Sequence, residues 1–491
     1  MFFSSHTIVM SGTLKLATRG VQDAWFTDNP EVSHFFIRYK RHSKFSMEQI
    51  ELPFDGSAEF GKEFFCDIPY SKGDLLRNLA LRVTINNVED SAIPETLRGK
   101  QILPSYTQLI NIPYVPSLCT EMVEFADLYI GGQLIERLTG EYIYMHQQIH
   151  NTDNDVKRAL TKMNGHGNFI DLYDDDALDD VYKIVGASGP SYLRNNYKTY
   201  ILDFPFYFYR NPSLSIPMCA LTKQPIQVRI KLKTLNDIVF GGLGPTMYAD
   251  LQRVSLEATF GFLENTERHF LMSRPIDYVI TQLQLAQFTI AYPQTKKLVQ
   301  LNFKNPVKEL FFICQNDAYT QFKNPNRYQE IKNVKLRINS EVILDGNHEF
   351  LVYNQPIQNH VNIPAQPEMK YRYRHNEFIP FKFSSEFGMY SFALNPEKHY
   401  PTGQINMSRI SHQQLEVEID PEIYYVYSSR RYDDAYTHAS DGTVPVILRF
   451  STGRLSPGVK AYVHSKDNKF RVYALSYNVL RIQSGLAGLK F

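Results

Sequence analysis

Cysteine is scarce in this sequence, with four in 491 residues. The four lie far apart and form no C-x-x-C pair: Cys66, Cys119, Cys219 and Cys314. So few cysteines cannot staple a chain of this length with disulfides, and the chain has enough apolar residues to build a core without them. The scarcity therefore indicates a reducing compartment such as the cytoplasm.

The sequence also has no excess charge of either sign and no long hydrophobic run. Its 52 basic and 51 acidic side chains leave a formal net charge of +1, so no overall field attracts nucleic acid or an anionic membrane. Nowhere do about 18 apolar residues follow one another, as a transmembrane helix requires. The segment Met1–Met10 has neither the basic nor the apolar part of a signal peptide. We therefore expect no direct binding of nucleic acid, no transmembrane segment and no classical secretion.

Catalytic and metal-binding motifs are missing as well, since the sequence contains neither G-x-S-x-G nor H-x-H. His146 and His150 would share one face of a helix, but the glutamate that follows the first histidine of a zincin is absent, which favours a packed or solvated helix face. The acidic run Asp171–Asp180 lacks the ligand spacing of a Ca²⁺ loop, which favours a solvated loop. We therefore assign no catalytic, cofactor-binding or metal-binding residue and expect the protein not to be an enzyme.

Aromatic residues, by contrast, are abundant, with 33 Phe and 32 Tyr, and such rings favour the pleated surface of a sheet. Four segments alternate apolar and polar residues, as strands with one buried face require: Leu79–Asn86, Ile226–Leu232, Val334–Asn339 and Leu415–Asp420. Gly131 and Gly132 predict the tight turn of a hairpin. A helix is predicted from Glu141 to about Met163. The predicted fold class is all-β, with short helices in the loops.

A weak internal repeat divides the chain into two halves. The pattern N-P-x-x-x-x-P occurs at Asn211–Pro217 and again 184 residues later at Asn395–Pro401, each time after an aromatic-rich run and before an alternating strand. Coincidence is the alternative in a chain with 26 prolines, but a duplicated β domain accounts for both copies. The polar, proline-containing segment Glu264–Pro275 suits a junction. We predict an N-terminal arm at 1–19, a first domain with long loop insertions at 20–268 and a second domain at 275–491.

Both ends of the chain carry motifs of one protein family. At the C-terminus, the strand-like Tyr477–Ile482 (YNVLRI) leads into Ser484–Leu489 (SGLAGL). Near the N-terminus, G-x-Q-D, N-P-x-x-x-x-F and Y-x-R-H-x-x-F follow in order within Gly20–Phe45, with conservative departures at Ser33, Lys40 and Ser43. Further matches lie at Gly73–Leu75, Ile130–Gln133, Ile216–Leu221, Asn305–Leu310, Ser391–Pro396 and Pro401–Arg409. These blocks, colinear from residue 20 to residue 491, resemble the major capsid proteins of large eukaryotic double-stranded DNA viruses.

The resemblance implies a double jelly roll, in which two eight-stranded antiparallel sandwiches lie in tandem. It further implies homotrimers of pseudo-hexagonal outline that tile the icosahedral outer shell of the virion, assembled in the host cytoplasm. The implied partners are further copies of the chain and minor capsid and penton proteins, with possible proximity to an inner viral membrane. The trimer-interface residues are not identified by the sequence. The rival is a bicupin-type enzyme with a metal inside one barrel, which the lack of H-x-H disfavours.

Overall fold

The computed structural model of the chain describes residues 11–18, 20–37, 39–86, 89–90, 114–115, 117–150, 159–160, 163–165, 197–239, 247–316, 328–364, 369–372, 378–381, 387–419, 424–428, 447–448, 460–464 and 467–491. The chain divides into two compact units, Met1–Lys44 and Phe45–Phe491. The first unit contains helices α1 (Ser11–Ala17) and α2 (Val21–Thr27). At the start of α2 the Gly20 amide donates a hydrogen bond of 2.7 Å to Asp23 Oδ2.

The second unit consists mostly of strands. Up to residue 275 its strands are β1 (Phe45–Pro53), β2 (Glu63–Ile68), β3 (Leu75–Asn86), β4 (Glu89–Asp90), β5 (Val123–Ile130), β6 (Gln133–Thr139), β7 (Tyr197–Asp203), β8 (Ile216–Pro217), β9 (Ile226–Leu232), β10 (Met247–Tyr248) and β11 (Leu251–Leu263). The helices of this part are α3 (Leu118–Met122), α4 (Gly140–Ile149), α5 (Leu235–Ile238) and α6 (Asn265–Ser273).

The remaining strands follow α6. They are β12 (Ile276–Ile290), β13 (Lys296–Leu301), β14 (Pro306–Asn316), β15 (Ile331–Ile338), β16 (Glu341–Asn347), β17 (Met369–Arg372), β18 (Phe378–Phe381), β19 (Gly388–Ser391), β20 (Ile405–Asn406), β21 (Gln413–Ile419), β22 (Tyr424–Ser428), β23 (Ile447–Leu448), β24 (Lys460–His464), β25 (Asn468–Gln483) and β26 (Leu486–Leu489). A π-helical turn (Phe350–Asn354) leads into helix α7 (Gln355–Asn359).

The two parts have the same sheet topology. In the first, one sheet has the order β1-β11-β3-β7 and the other β2-β9-β5-β6; in the second, the orders are β12-β25-β14-β19 and β13-β21-β15-β16. All these pairings are antiparallel. Each set of eight strands thus forms one four-on-four sandwich, called here the first and the second sandwich. The predicted all-β double jelly roll is confirmed.

The duplication extends to the connections that the proline repeat marked. Two-residue strand β8 pairs with β3, and its counterpart β20 pairs with β14. Each is followed by a 3₁₀ turn, Met218–Ala220 or Met407–Arg409, and then by a seven-residue strand. The repeat in the sequence therefore reflects one connection used twice. The boundaries 1–19, 20–268 and 275–491 stay predictions.

Three local predictions can be compared with the described residues. The four alternating segments fall on strands β3, β9, β15 and β21, the third as far as Ile338 and the fourth as far as Ile419, the last described residue there. Gly131 and Gly132 join β5 to β6 with φ angles of 59° and 80°, which a tight hairpin turn requires. The helix prediction was wrong in length. Helix α4 ends at Ile149, with His150 as its C-cap, and the sequence that follows, Asn-Thr-Asp-Asn, consists of weak helix formers.

The sheet of β14 and β25 is buried on both faces. In β14, Leu310 and Phe312 pack into the core of the second sandwich. Phe311 and Ile313 point the other way and pack into the core cluster that contains the first sandwich. A strand with two buried faces needs an unbroken apolar run instead of alternation, which accounts for the sequence Leu-Phe-Phe-Ile-Cys at 310–314. This sheet is therefore where the two sandwiches meet.

Candidate functional site

The contact between the sandwiches is called here the seam: the outer face of the β12-β25-β14-β19 sheet together with α4 and β6. Its centre is aromatic. The ring of Tyr142, on α4, lies 6.3 Å from that of Phe311 and 6.5 Å from that of Tyr473, measured between centroids. Large rings that meet at such distances bury much apolar area and add specific edge contacts. The seam therefore resembles the interior of a domain.

A buried ion pair lies beside these rings. The Arg471 guanidinium donates to Glu141 Oε2 from Nε at 2.7 Å and to Gln315 Oε1 from Nη2 at 2.8 Å. The Tyr473 hydroxyl donates to the same Glu141 oxygen at 2.6 Å. The Arg471 and Glu141 side chains are 13% and 17% exposed. Because Glu141 lies in the first turn of α4 and Arg471 lies in β25, this pair joins the first sandwich to the second.

Hydrogen bonds to the main chain add further links across the seam. Gln282 Nε2, from β12, donates to the Ile135 carbonyl in β6 at 2.6 Å. Near the C-terminus, the Ala487 amide donates to Gln224 Oε1 at 2.6 Å, and the Lys223 amide donates to the Gly485 carbonyl at 3.2 Å. These bonds connect several elements of each sandwich and fix their relative position.

A group of histidines and glutamates lies at the C-terminal end of α4. His146 and His150 stack with ring centroids 3.8 Å apart. His150 Nε2 lies 3.5 Å from Glu397 Oε2. His360, which directly follows α7, contacts Glu397 Oε1 through Nδ1 at 2.6 Å and Glu309 Oε2 through Nε2 at 2.9 Å. His150 belongs to the first sandwich and the other three contacting residues to the second, so this histidine–glutamate group also crosses the seam.

Burial sets the charge states in this group. It holds the pKa of His146 well below its usual value and lowers the pKa of His150 to about 4, so both imidazoles are neutral near pH 7. Burial acts in the same direction on His360, but the adjoining carboxylates of Glu309 and Glu397 outweigh it and raise the pKa of His360 to about 9. The same cluster thus contains neutral and charged imidazoles within a few ångströms.

The structure gives different outcomes for the residues that the sequence singled out. His146 and His150 do lie together at the C-terminal end of α4, as predicted, and His150 contacts His360 and Glu397, whose proximity no sequence motif indicates. Those two partners are 210 or more positions away from His150 along the chain. The acidic run 171–180 lies outside the described residues. All four cysteines are buried and none forms a disulfide, and no helix among the described residues is long and apolar enough to cross a membrane.

Glu136, in β6, is a carboxyl group buried at 3% exposure. Its Oε2 accepts a hydrogen bond of 2.8 Å from the Tyr207 amide. Burial penalises the charged form more than this bond favours it, and it raises the pKa of Glu136 from 4.5 to about 8. The folded chain therefore holds a proton that the unfolded chain releases between these pH values.

We expect Glu136→Gln to make the protein more stable at pH 8.5 and to change its stability little at pH 5. A carboxyl group whose pKa is raised by folding contributes stability that is complete below its pKa in the unfolded chain. That stability is lost as the pH rises through its pKa in the folded chain. The neutral amide of the variant loses no stability in this way. Its free energy of unfolding should therefore exceed that of the unmodified protein by roughly 3 kcal/mol or more above pH 7. Urea unfolding of both proteins at a series of pH values measures the difference. A constant difference across the series would contradict the assignment.

The chain is similar to capsid proteins along nearly its whole length. The family model described as "Major capsid protein N-terminus" matches residues 33–260. The major capsid protein of Pyramimonas orientalis virus is 25% identical over 485 residues, which cover 98% of this chain and 99% of that protein. Among solved structures, the PBCV-1 virus capsid has a TM-score of 0.63 at 18% identity, covering 94% of this chain and 100% of that one. The Faustovirus major capsid protein has a TM-score of 0.61 at 10% identity, covering 98% and 100%.

These matches agree with the motifs at both ends of the sequence and with the duplicated sheet topology. The proteins concerned are structural components of capsids and not enzymes. The resemblance predicted from the sequence is confirmed: along nearly its whole length the chain is similar to the major capsid proteins of large eukaryotic DNA viruses, and it has the double jelly-roll fold of the solved capsid structures.

Proposed function

We propose that three copies of this chain form a pseudo-hexagonal capsomer and that such capsomers tile the icosahedral shell. The observation that supports this is the strand-for-strand match between the two sandwiches. Three chains with two similar sandwiches each supply six similar edges around a threefold axis, and a six-edged tile can cover a flat facet. The tight seam fits this role, because a tile must keep its two halves in a fixed relation.

The partners we propose are neighbouring capsomers and the minor capsid and penton proteins of the same virion, at a shell that lies close to an inner membrane. We propose no direct contact with the genome and no cofactor in this role. The near-zero net charge of the sequence supports the first point. Four buried cysteines that form no disulfide suit assembly in the reducing host cytoplasm. Cryo-electron microscopy of the virion would test these contacts together.

The bicupin alternative receives no support from the described residues. Its metal would be held by histidines and a carboxylate inside one barrel. The second core cluster, inside the second sandwich, consists of apolar side chains. Glu309, which belongs to the histidine–glutamate group, alternates with Leu310 and therefore faces outward from that sandwich. The described polar cluster is thus at the seam and not within a barrel.

The purified full-length protein is expected to be a trimer at micromolar concentration. Stable interfaces of this kind bury well over 1,000 Å² per pair of chains. Multi-angle light scattering should give three times the mass of one chain, and negative-stain images should show six-lobed particles. Monomers or dimers alone, in a sample whose circular dichroism shows folded β structure, would contradict the proposal.

A further inference from the structure

We propose that His150, His360 and Glu397 form a site for one transition-metal dication of the zinc class, which clamps the first sandwich to the second. One ligand atom from each of the three side chains lies within 4.8 Å of the other two. Two imidazoles and a carboxylate are a ligand set that zinc commonly takes, with a water in the fourth position. This site is independent of the trimer, because all three residues belong to one chain.

The distances suit a tetrahedral ion after a small movement. His150 Nε2 is 3.5 Å from Glu397 Oε2 and His360 Nδ1 is 2.6 Å from Glu397 Oε1. Ligand atoms about 2.0–2.1 Å from zinc lie roughly 3.3 Å from one another in a tetrahedron. The second separation must therefore lengthen by less than about 1 Å, and the ligand atoms that lie farthest apart, within 4.8 Å of one another, must approach by up to about 1.5 Å. Glu397 can make this adjustment because its side chain is 29% exposed and lies in a loop.

Each histidine is already oriented through its far nitrogen. His150 Nδ1 lies 3.2 Å from the His146 carbonyl oxygen, to which it can only donate. His360 Nε2 lies 2.9 Å from Glu309 Oε2 and donates to that carboxylate. Such outer contacts fix the orientation of a metal-binding imidazole, and a metal at the near nitrogen of His360 displaces the proton that this nitrogen donates to Glu397. The two near nitrogens are those that face Glu397.

The contact between His150 and Glu397 is unfavourable without a cation. In the tautomer in which Nδ1 donates to the His146 carbonyl, Nε2 of His150 presents its lone pair to a carboxylate oxygen 3.5 Å away. Two acceptors that face each other repel, and a cation between them removes the repulsion. Lys308 Nζ lies 3.3 Å from Glu309 Oε1 and balances that carboxylate. The charge of Glu397 faces the proton on His360 Nδ1, whose place the metal takes on binding.

Metal binding would have a structural effect. His150 caps the C-terminus of α4 in the first sandwich, whereas His360 and Glu397 lie in loops of the second. An ion held by all three connects the sandwiches at a point away from the Glu141–Arg471 pair. Binding to the folded chain alone stabilises it in proportion to the logarithm of the free metal concentration.

The test uses full-length protein that has been treated with a chelator and dialysed into metal-free buffer. We expect calorimetric titration with ZnCl₂ to show one equivalent per chain, and Co²⁺ to give the visible absorption of a tetrahedral site. His150→Gln and Glu397→Gln should each weaken Zn²⁺ binding roughly tenfold or more and abolish the Co²⁺ bands. Zn²⁺ should raise the thermal unfolding midpoint of the unmodified protein but not that of these variants.

His399→Gln is the matched control, because His399 is exposed and lies two residues beyond Glu397. It should bind Zn²⁺ as the unmodified protein does. Substitution of His360 would leave the buried Glu309 carboxylate without its imidazole partner and could unfold the protein. The test therefore uses the substitutions at His150 and Glu397. The proposal is overturned if the unmodified protein binds no Zn²⁺. It is also overturned if His150→Gln and Glu397→Gln bind Zn²⁺ as tightly as the unmodified protein does, because the metal would then lie elsewhere. A trimer that binds no metal would leave the proposed capsomer untouched.

Discussion

Deletion of residues 472–491 is expected to eliminate soluble, folded protein. The deletion removes most of β25, which pairs with β12 along one edge and with β14 along the other. Two neighbouring strands would lose their hydrogen-bond partners, and unpaired buried backbone groups are costly. Soluble yield and the far-ultraviolet circular dichroism of whatever remains soluble measure the effect.

Lost apolar burial adds to this cost. The deleted segment contains fully buried side chains on both faces of the sheet, for example Val472 towards the second core and Leu480 towards the first. Burial of one such side chain contributes about 1.5–3 kcal/mol, and folded domains are stable by only about 5–15 kcal/mol in total. The loss of several at once therefore exceeds the stability available.

The matched control is deletion of Lys490 and Phe491 alone. Both residues are exposed, and their described contacts are a bond of 2.9 Å from the Lys490 amide to the Val479 carbonyl and one of 2.8 Å from Asn478 Nδ2 to the Phe491 carbonyl. The end of a chain beyond its last strand is usually weakly held, so the yield should stay near that of the full-length protein. Equal loss from both deletions would mean that the tail and not β25 is decisive.

The strands were predictable where burial is one-sided. In β9 and β21 every second residue is buried, and the period of two is visible in the sequence. In β14 both faces are buried, so the alternation disappears and the apolar run could equally have been a buried helix. The proline repeat indicated two copies of one domain, but a repeat contains no information about which faces of the copies meet.

The contacts across the seam could not be predicted, because they join residues that are far apart in the sequence. Glu141 and Arg471 are 330 positions apart, and His150 and Glu397 are 247 apart. Each residue fits its local element without its partner: Glu141 suits the first turn of a helix, and an arginine suits the polar side of a strand. Only the docking of the second sandwich on α4 brings them together. Long-range pairing of this kind leaves no local pattern.

Arg471→Ala is expected to lower the free energy of unfolding by about 3–5 kcal/mol, the typical cost of removing one partner of a buried ion pair. The substitution leaves the Glu141 carboxylate at the seam with the Tyr473 hydroxyl as its remaining charge-stabilising donor. Most of the loss comes from this uncompensated charge. The double variant Glu141→Gln/Arg471→Met should therefore recover part of the stability, because neither of its two new side chains is charged and the Tyr473 hydroxyl keeps an acceptor. Urea unfolding at one fixed protein concentration measures all three proteins.

Arg481→Ala provides the comparison that isolates burial. Arg481 donates to the two oxygens of Asp277 from Nε at 2.7 Å and from Nη2 at 2.6 Å, as Arg471 donates to the two oxygens of Glu141 from Nε at 2.7 Å and from Nη2 at 2.5 Å. Its side chain, however, is 46% exposed and that of Asp277 is 40% exposed. Water screens such a pair and solvates either partner alone, so its removal should shift the urea midpoint little. If the two alanine variants lost equal stability, geometry alone would account for the strength of the Glu141–Arg471 pair, and the seam would not be the dry junction that its burial indicates.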